Sequence, residues 1–183
     1  MNPLENVERL RNGQLPEQVA ALDKLNDFFR AVIDISIEKL KTSSQPLFIA
    51  ERISKFGTLA LEPLESAFAE DLDPPVKIHV AALLTQLGSA IGVESLLHEI
   101  KRAGEHQLLA TISLAKAGIK EACSVIIERL SSLGSDFYTK SENGPFINTY
   151  LIALEMLKEP LPQDLRTRFT SPEVPQSIRA FIK

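Results

Sequence analysis

Three glycines set the terms on which this chain can fold. Gly57, Gly88 and Gly118 stand 31 and 30 residues apart, and each closes the same kind of apolar series. Ile49, Ile53 and Phe56 precede the first, Val80, Leu84 and Leu87 the second, and Ala110, Leu114 and Ala117 the third. Steps of four and three place such residues on one face of an α-helix, whereas a strand would alternate. A glycine directly after the last periodic residue predicts a helix end with left-handed backbone. Beyond each glycine comes a second apolar series: Leu61, Leu64, Phe68; then Val93, Leu96, Ile100; then Cys123, Ile126, Leu130. Each unit therefore reads as helix, tight turn, helix. One pair of helices this short cannot bury its apolar face alone, so the units must pack on one another.

The rest of the chain continues the helical pattern. Between Glu17 and Gln45 there is no Gly or Pro, and Val19, Leu22, Phe29, Ile33, Ile37 and Leu40 share a helical face. The spacing is compatible with one long helix or with two short ones broken near Asp27. Gly134 also follows an amphipathic run and is expected to end a helix as the other three do. Pro16, Pro46, Pro75, Pro145, Pro162 and Pro172 stand where helices should begin, because a first-turn N–H has no intrahelical partner. Leu154 and Leu157 close another first helix, with Lys158 in the glycine position. Val7 to Gly13, followed by Pro16 to Leu22, looks like a seam between two further units. No segment reads as a strand, and about ten short helices are expected.

The segment from Pro75 to Gly88, with Val76-Lys77 before Ala81-Ala82 and a closing Leu87-Gly88, resembles the first helix of HEAT-like repeats. The similarity is to the short, roughly thirty-residue variety known from phycobilisome-lyase-type proteins, with Lys77 where that pattern has Arg. Leu61-Glu62-Pro63-Leu64 is similar to the proline-containing start of the family's second helix. The resemblance runs from about residue 46 to 133. It implies an all-α chain forming a right-handed α-α superhelix, a HEAT-like or armadillo-type solenoid of about four to five helix pairs. On this reading 1–183 is a single repeat domain. Residues 1–44 are N-terminal helices, 45–133 the best-matching repeats, 134–145 an inserted loop, and 146–183 a C-terminal repeat and cap.

Composition narrows the function. Of 183 residues, 44% are hydrophobic and 24% charged, which is ordinary for a folded globular chain. A formal charge of −4 offers no strong basic field for polyanions, and with no Trp there is little aromatic surface for stacking bases. The HEAT-like DNA glycosylases need a basic groove. Here the second helices carry Glu62, Glu65, Glu94, Glu99, Glu121 and Glu128, so no nucleic-acid partner is expected. A single Cys excludes an internal disulfide and fits a reducing cytoplasm. No apolar run approaches the roughly 20 residues of a membrane span, and the first residues lack the apolar core of a signal peptide. No membrane association is expected.

Candidate chemistry is sparse. His79 shares its repeat slot with Phe48 and Leu109, which places it on or beside a packed face. His98 shares its slot with Ser66 and Glu128, a solvent-facing position. Glu94 and His98 are four apart on one helix, yet no second pair of matching spacing completes a metal set, so neither metal nor cofactor is expected. Cys123 aligns with Leu61 and Val93 and reads as a buried apolar thiol. There is no phosphate loop, nucleophile elbow or HExxH, so the chain is not read as an enzyme. Glu62, Glu65, Glu70, Asp71 and Asp73 form an acidic stretch without a basic residue inside it.

One irregularity stands out. From Ala117 to Leu157 is 40 residues, and the excess lies in a Ser/Gly/Asn-rich stretch, 131–145, with Phe137 and Tyr138 at its centre. Insertions in repeat arrays map to one face and often carry binding; otherwise such aromatics fold back over the end of the stack. The leading expectation is a non-enzymatic protein-interaction module: a scaffold, adaptor or assembly factor. Its partner would meet Phe137, Tyr138 and Lys140 together with Glu94, His98 and Glu128. The alternatives are an immunity or inhibitor protein that sequesters a basic toxin or enzyme, and a bilin lyase subunit or lyase chaperone. A monomer or weak oligomer is expected.

Overall fold

The computed structural model describes residues 2–182, and among these the chain is helical throughout, with no strand. Residues 1–76 and 77–183 form two compact units. The first holds α1 (Pro3–Asn12), α2 (Leu15–Thr42), α3 (Pro46–Ser54), a 3-10 turn over Gly57–Ala60, and α4 (Leu61–Phe68). Helix α5 (Pro74–Gln86) begins at the end of this unit and enters the second. There follow α6 (Val93–Lys101), α7 (Gln107–Lys116), α8 (Ala122–Ser131) and a short α9 (Ser135–Tyr138). A 3-10 turn over Ser141–Asn143 leads into α10 (Gly144–Met156), α11 (Gln163–Thr170) and α12 (Gln176–Arg179).

The glycines that follow the first helices share one backbone conformation, although Gly57 opens a 3-10 turn where Gly88 and Gly118 close a helix end. Gly57, Gly88 and Gly118 have φ of +58°, +94° and +73°, the left-handed backbone that glycine adopts without a Cβ penalty. The N–H of Ser89 donates to Leu84 O at 2.9 Å, and that of Ile119 to Leu114 O at 3.0 Å, a six-residue closure that satisfies a last-turn carbonyl. Glu159 closes on Leu154 at 2.9 Å in the same way. Lys158, in the glycine position, adopts φ +55° there. The turn geometry therefore survives the loss of its usual residue. Ile53, Leu84 and Leu114 have no exposed surface, nor do Leu64, Leu96, Ile100, Ile126 and Leu130 of the second helices.

Several expectations need correction. Where the spacing left one helix or two open, the chain forms one helix of 28 residues, Leu15–Thr42, its first turn closed by the Glu17 carboxylate on the Gln14 N–H at 3.0 Å. Val19, Leu22 and Phe29 share a face with Ile33 and Ile37 as expected, but only the latter two are buried. Gly134 does not end α8 in a left-handed turn. Its φ of −73° and ψ of 163° are extended, and it stands at the start of α9. The inserted stretch is therefore not an irregular loop, since it contains α9 and the second 3-10 turn. Pro172 lies in a turn, and it is Pro175 that precedes the last helix, α12. The acidic stretch finds its cations on α2: Arg30 meets Glu62 and Lys41 meets Glu70, both at 2.7 Å.

Candidate interaction surface

In the second unit α6 packs against α7 and α8, and α10 against α7 and α8. The polar sides of α6 and α8 border an open groove of about 330 Å³, lined by Lys101, Val125, Glu128, Arg129 and Ser132. Lys101 and Arg129 occupy the last turns of their helices, where a cation is favoured by the negative end of the helix dipole. That placement concentrates basic donors at one end of the groove, with Glu128 beside them.

Arg129 ties the groove to the inserted stretch. Its Nε donates to Gln107 Oε1 at 3.2 Å, and a terminal nitrogen donates to Ser132 Oγ at 3.1 Å. Its guanidinium lies 5.9 Å from the centre of the Phe146 ring. Gln107 Oε1 also accepts from the hydroxyl of Tyr150, at 2.8 Å, and Tyr150 is fully buried. Burial pushes the Tyr150 phenol up, opposed by nearby Arg129, so the hydroxyl stays a neutral donor.

The aromatics of the insertion pack onto this frame. Phe137 meets Phe146 edge-on at 5.2 Å, and Phe146 meets Tyr150 at 5.1 Å, a row of three rings running from the surface into the core. Tyr138 meets Phe169 of α11 at 5.8 Å with its ring under the Arg168 guanidinium. Arg168 in turn donates to the Ser131 carbonyl at 3.1 Å, and Asn143 Nδ2 donates to Phe137 O at 2.8 Å. The insertion is thus pinned at both ends.

Of the residues singled out from sequence, Glu94, His98, Glu128 and Lys140 are exposed, and Phe137 and Tyr138 are half-buried. Glu128 lines the groove, and Phe137 joins it through Phe146 and Arg129. Lys101, Arg129 and Ser132 belong to the same surface and were not singled out. Their signal was the recurrence of a cation in the last turn of successive second helices.

Other chemically capable groups lie elsewhere. Cys123 is a free, buried thiol, pushed up by burial and so held in the unreactive protonated form. His79 is buried and its ring lies against that of His106, a residue the repeat comparison passed over. Among the described residues no group of three or more His, Cys, Asp or Glu side chains could hold a metal ion. Nor is any helix long and apolar enough to cross a membrane. No family model matches the chain, and no curated protein or solved structure gives a significant match.

Proposed function

We propose that the chain is a non-enzymatic interaction module, a HEAT-like α-α solenoid that binds a protein partner through the α6–α8 groove and the adjoining insertion. The observation that carries this reading is the junction at Arg129. One side chain supports both a polar groove and an aromatic segment whose exposed edges extend the same surface. Such a surface offers cations at Lys101, Arg129 and Lys140, a carboxylate at Glu128, and half-buried aromatic rings. Interface anchors are typically aromatic or Arg residues set in a polar rim. A scaffold, adaptor or assembly factor fits this surface better than an inhibitor of a basic target. The strongest acidic candidates, Glu62 and Glu70, are already paired with Arg30 and Lys41.

The test uses Lys101→Glu and Glu128→Lys, alone and together. Lys101 and Glu128 are exposed, so the variants stay folded. Lys101→Glu lowers the melting temperature by no more than a few degrees, because it sets an anion at the negative end of the α6 dipole. Proteins captured from source-cell lysate by immobilised wild type and variants are then compared quantitatively. A partner retained by the wild type and lost by the variants supports the reading. Equal capture by all forms removes the groove from it.

A further inference from the structure

The α1–α2 hairpin carries an apolar face that its own unit leaves open. Leu15, Val19, Leu22 and Phe29 lie on one stripe of α2, and steps of four continue it through Ile33 and Ile37. The continuation is buried, with Ile33 at 0% and Ile37 at 3% exposure, where α3, the Gly57–Ala60 turn and α4 pack on α2. The first half of the stripe is not: Leu15 is 73% exposed, Val19 50%, Leu22 49% and Phe29 37%. The same face that packs inside the protein at one end of α2 is therefore bare at the other.

Helix α1 enlarges that bare face. It packs on a neighbouring side of α2, where Asn6 of α1 and Ala21 and Leu25 of α2 are buried and the Gln18 side chain donates to Leu10 O at 3.0 Å. Val7 lies roughly 100° and Leu4 roughly 160° around α1 from Asn6, in the same sense, and the α2 stripe lies on the order of 100° around α2 from its own contact line. Both helices are right-handed and run antiparallel, so the two displacements point to the same side of the hairpin. Leu4 is 72% exposed and Val7 45%. The opposite side carries Glu5, Arg9, Glu17 and Lys24.

We propose that this face is a homodimer interface, covered by the α1–α2 hairpin of a second copy in antiparallel register. Size is the first argument. The exposed parts of the six side chains come to on the order of 600 Å², the upper end for a monomer's largest apolar patch. With its polar rim the face approaches the roughly 800 Å² a side of a standard interface. Charge complementarity is the second. An antiparallel α2 that sets Val19 against Phe29 and Leu22 against Asn26 puts each Asp23 on the same flank of the seam as Arg30 of the second copy, twice by symmetry. The two are about five residues from level, within reach of the long Arg side chain. Arg30 is bound to Glu62 but keeps 57% of its side chain exposed and has donors to spare. An anionic bilayer suits the face less well, since Asp23, Asp27, Asp34 and Glu38 deny α2 the cationic polar side of a membrane-surface helix.

Sedimentation velocity of the full chain from micromolar to about 200 μM tests the proposal. The wild type is expected to show a concentration-dependent monomer–dimer equilibrium, and Val19→Glu/Leu22→Lys to stay monomeric with unchanged helix content and melting. Asp23→Arg and Arg30→Asp should each weaken the dimer about tenfold. Mixing these two variants should restore it, because the heterodimer brings unlike charges together at both sites. A wild type that stays monomeric throughout, a dimer indifferent to Val19→Glu/Leu22→Lys, or charge variants that fail to rescue one another would each overturn the proposal. So would a monomer that binds phosphatidylserine vesicles through Leu15, Val19 and Leu22.

Discussion

The imidazoles of His79 and His106 lie 5.1 Å apart, centre to centre, tilted by 57°. His79 belongs to α5 and is 4% exposed, while His106 precedes the first turn of α7. Neither His79 Nδ1 nor His106 Nε2, both buried, has a hydrogen-bond partner among the described residues. A buried nitrogen left unpaired costs stability, and a buried charge there costs more.

Burial, with a smaller contribution from His106, pushes the His79 imidazole below the ordinary histidine value of 6.5. The unfolded chain therefore takes up a proton near that value while the folded chain resists it. Stability is complete above about pH 6.5 and is lost as pH falls through the ordinary value towards the lower folded one. Thermal melts between about pH 7.5 and 5.5 should show this decline, and His79→Leu should flatten it, an apolar residue being what the same slot holds elsewhere. A wild-type melting temperature constant over that range would refute the prediction.

Lys158 and Gly118 occupy equivalent turns with opposite chemistry, at φ +55° and +73°. A side chain in the left-handed region costs about 1–2 kcal/mol, and glycine's looser unfolded state returns part of that. Lys158→Gly should therefore stabilise by about 0.5–1 kcal/mol, and Gly118→Ala should destabilise by about as much or more. Equilibrium unfolding in urea measures both. A Cβ added at 118 would meet no neighbour, so the effect of Gly118→Ala is one of backbone.

The Glu99 side chain is fully buried. Its carboxylate accepts from the His106 N–H at 2.8 Å and from Arg102 Nε at 2.7 Å. Gly104 passes so close that a Cβ there would collide with the carboxylate. Glu99→Ala should cost about 2–3 kcal/mol, the usual consequence of stranding buried donors. Gly104→Ala should also destabilise, and the double variant should cost less than the two single changes together. Additive losses would mean that Glu99 and Gly104 do not share this contact.

Phe137 and Tyr138 each rest edge-on against a ring of a later helix. Removing both should cost about 2 kcal/mol and lower the melting temperature by about 4–8 °C. Lys140→Glu, at an exposed position, should leave melting unchanged. If the double alanine variant melts like the wild type, the rings are not structural, and their whole value lies in what binds them.

Much of the secondary structure was legible in the sequence. The glycine ends at 57, 88 and 118 follow from a constraint on one residue's backbone, and the buried positions Ile53, Leu84 and Leu114 follow from helical spacing. Gly134 broke the analogy because its neighbours, not its own freedom, decide which helix it borders. The candidate surface was half legible. Glu128 and the insertion could be named from the repeat, whereas Arg129 became central only through Gln107 and Phe146, residues 22 positions before and 17 after it.

The sequence by itself determined where helices run and which residues are apolar, because both depend on contacts within a few positions along the chain. Whether an apolar residue is covered was decided by the tertiary structure alone. Val19 and Ile37 share one stripe of one helix, and only the second is covered by helices that follow it. The same holds for Glu99 and for His79. A carboxylate among surface-like neighbours is buried because a turn folds back over it, and an imidazole in an apolar slot meets a second imidazole from the next repeat. Burial and charge pairing are properties of what arrives from elsewhere in the chain, and periodicity carries no record of that.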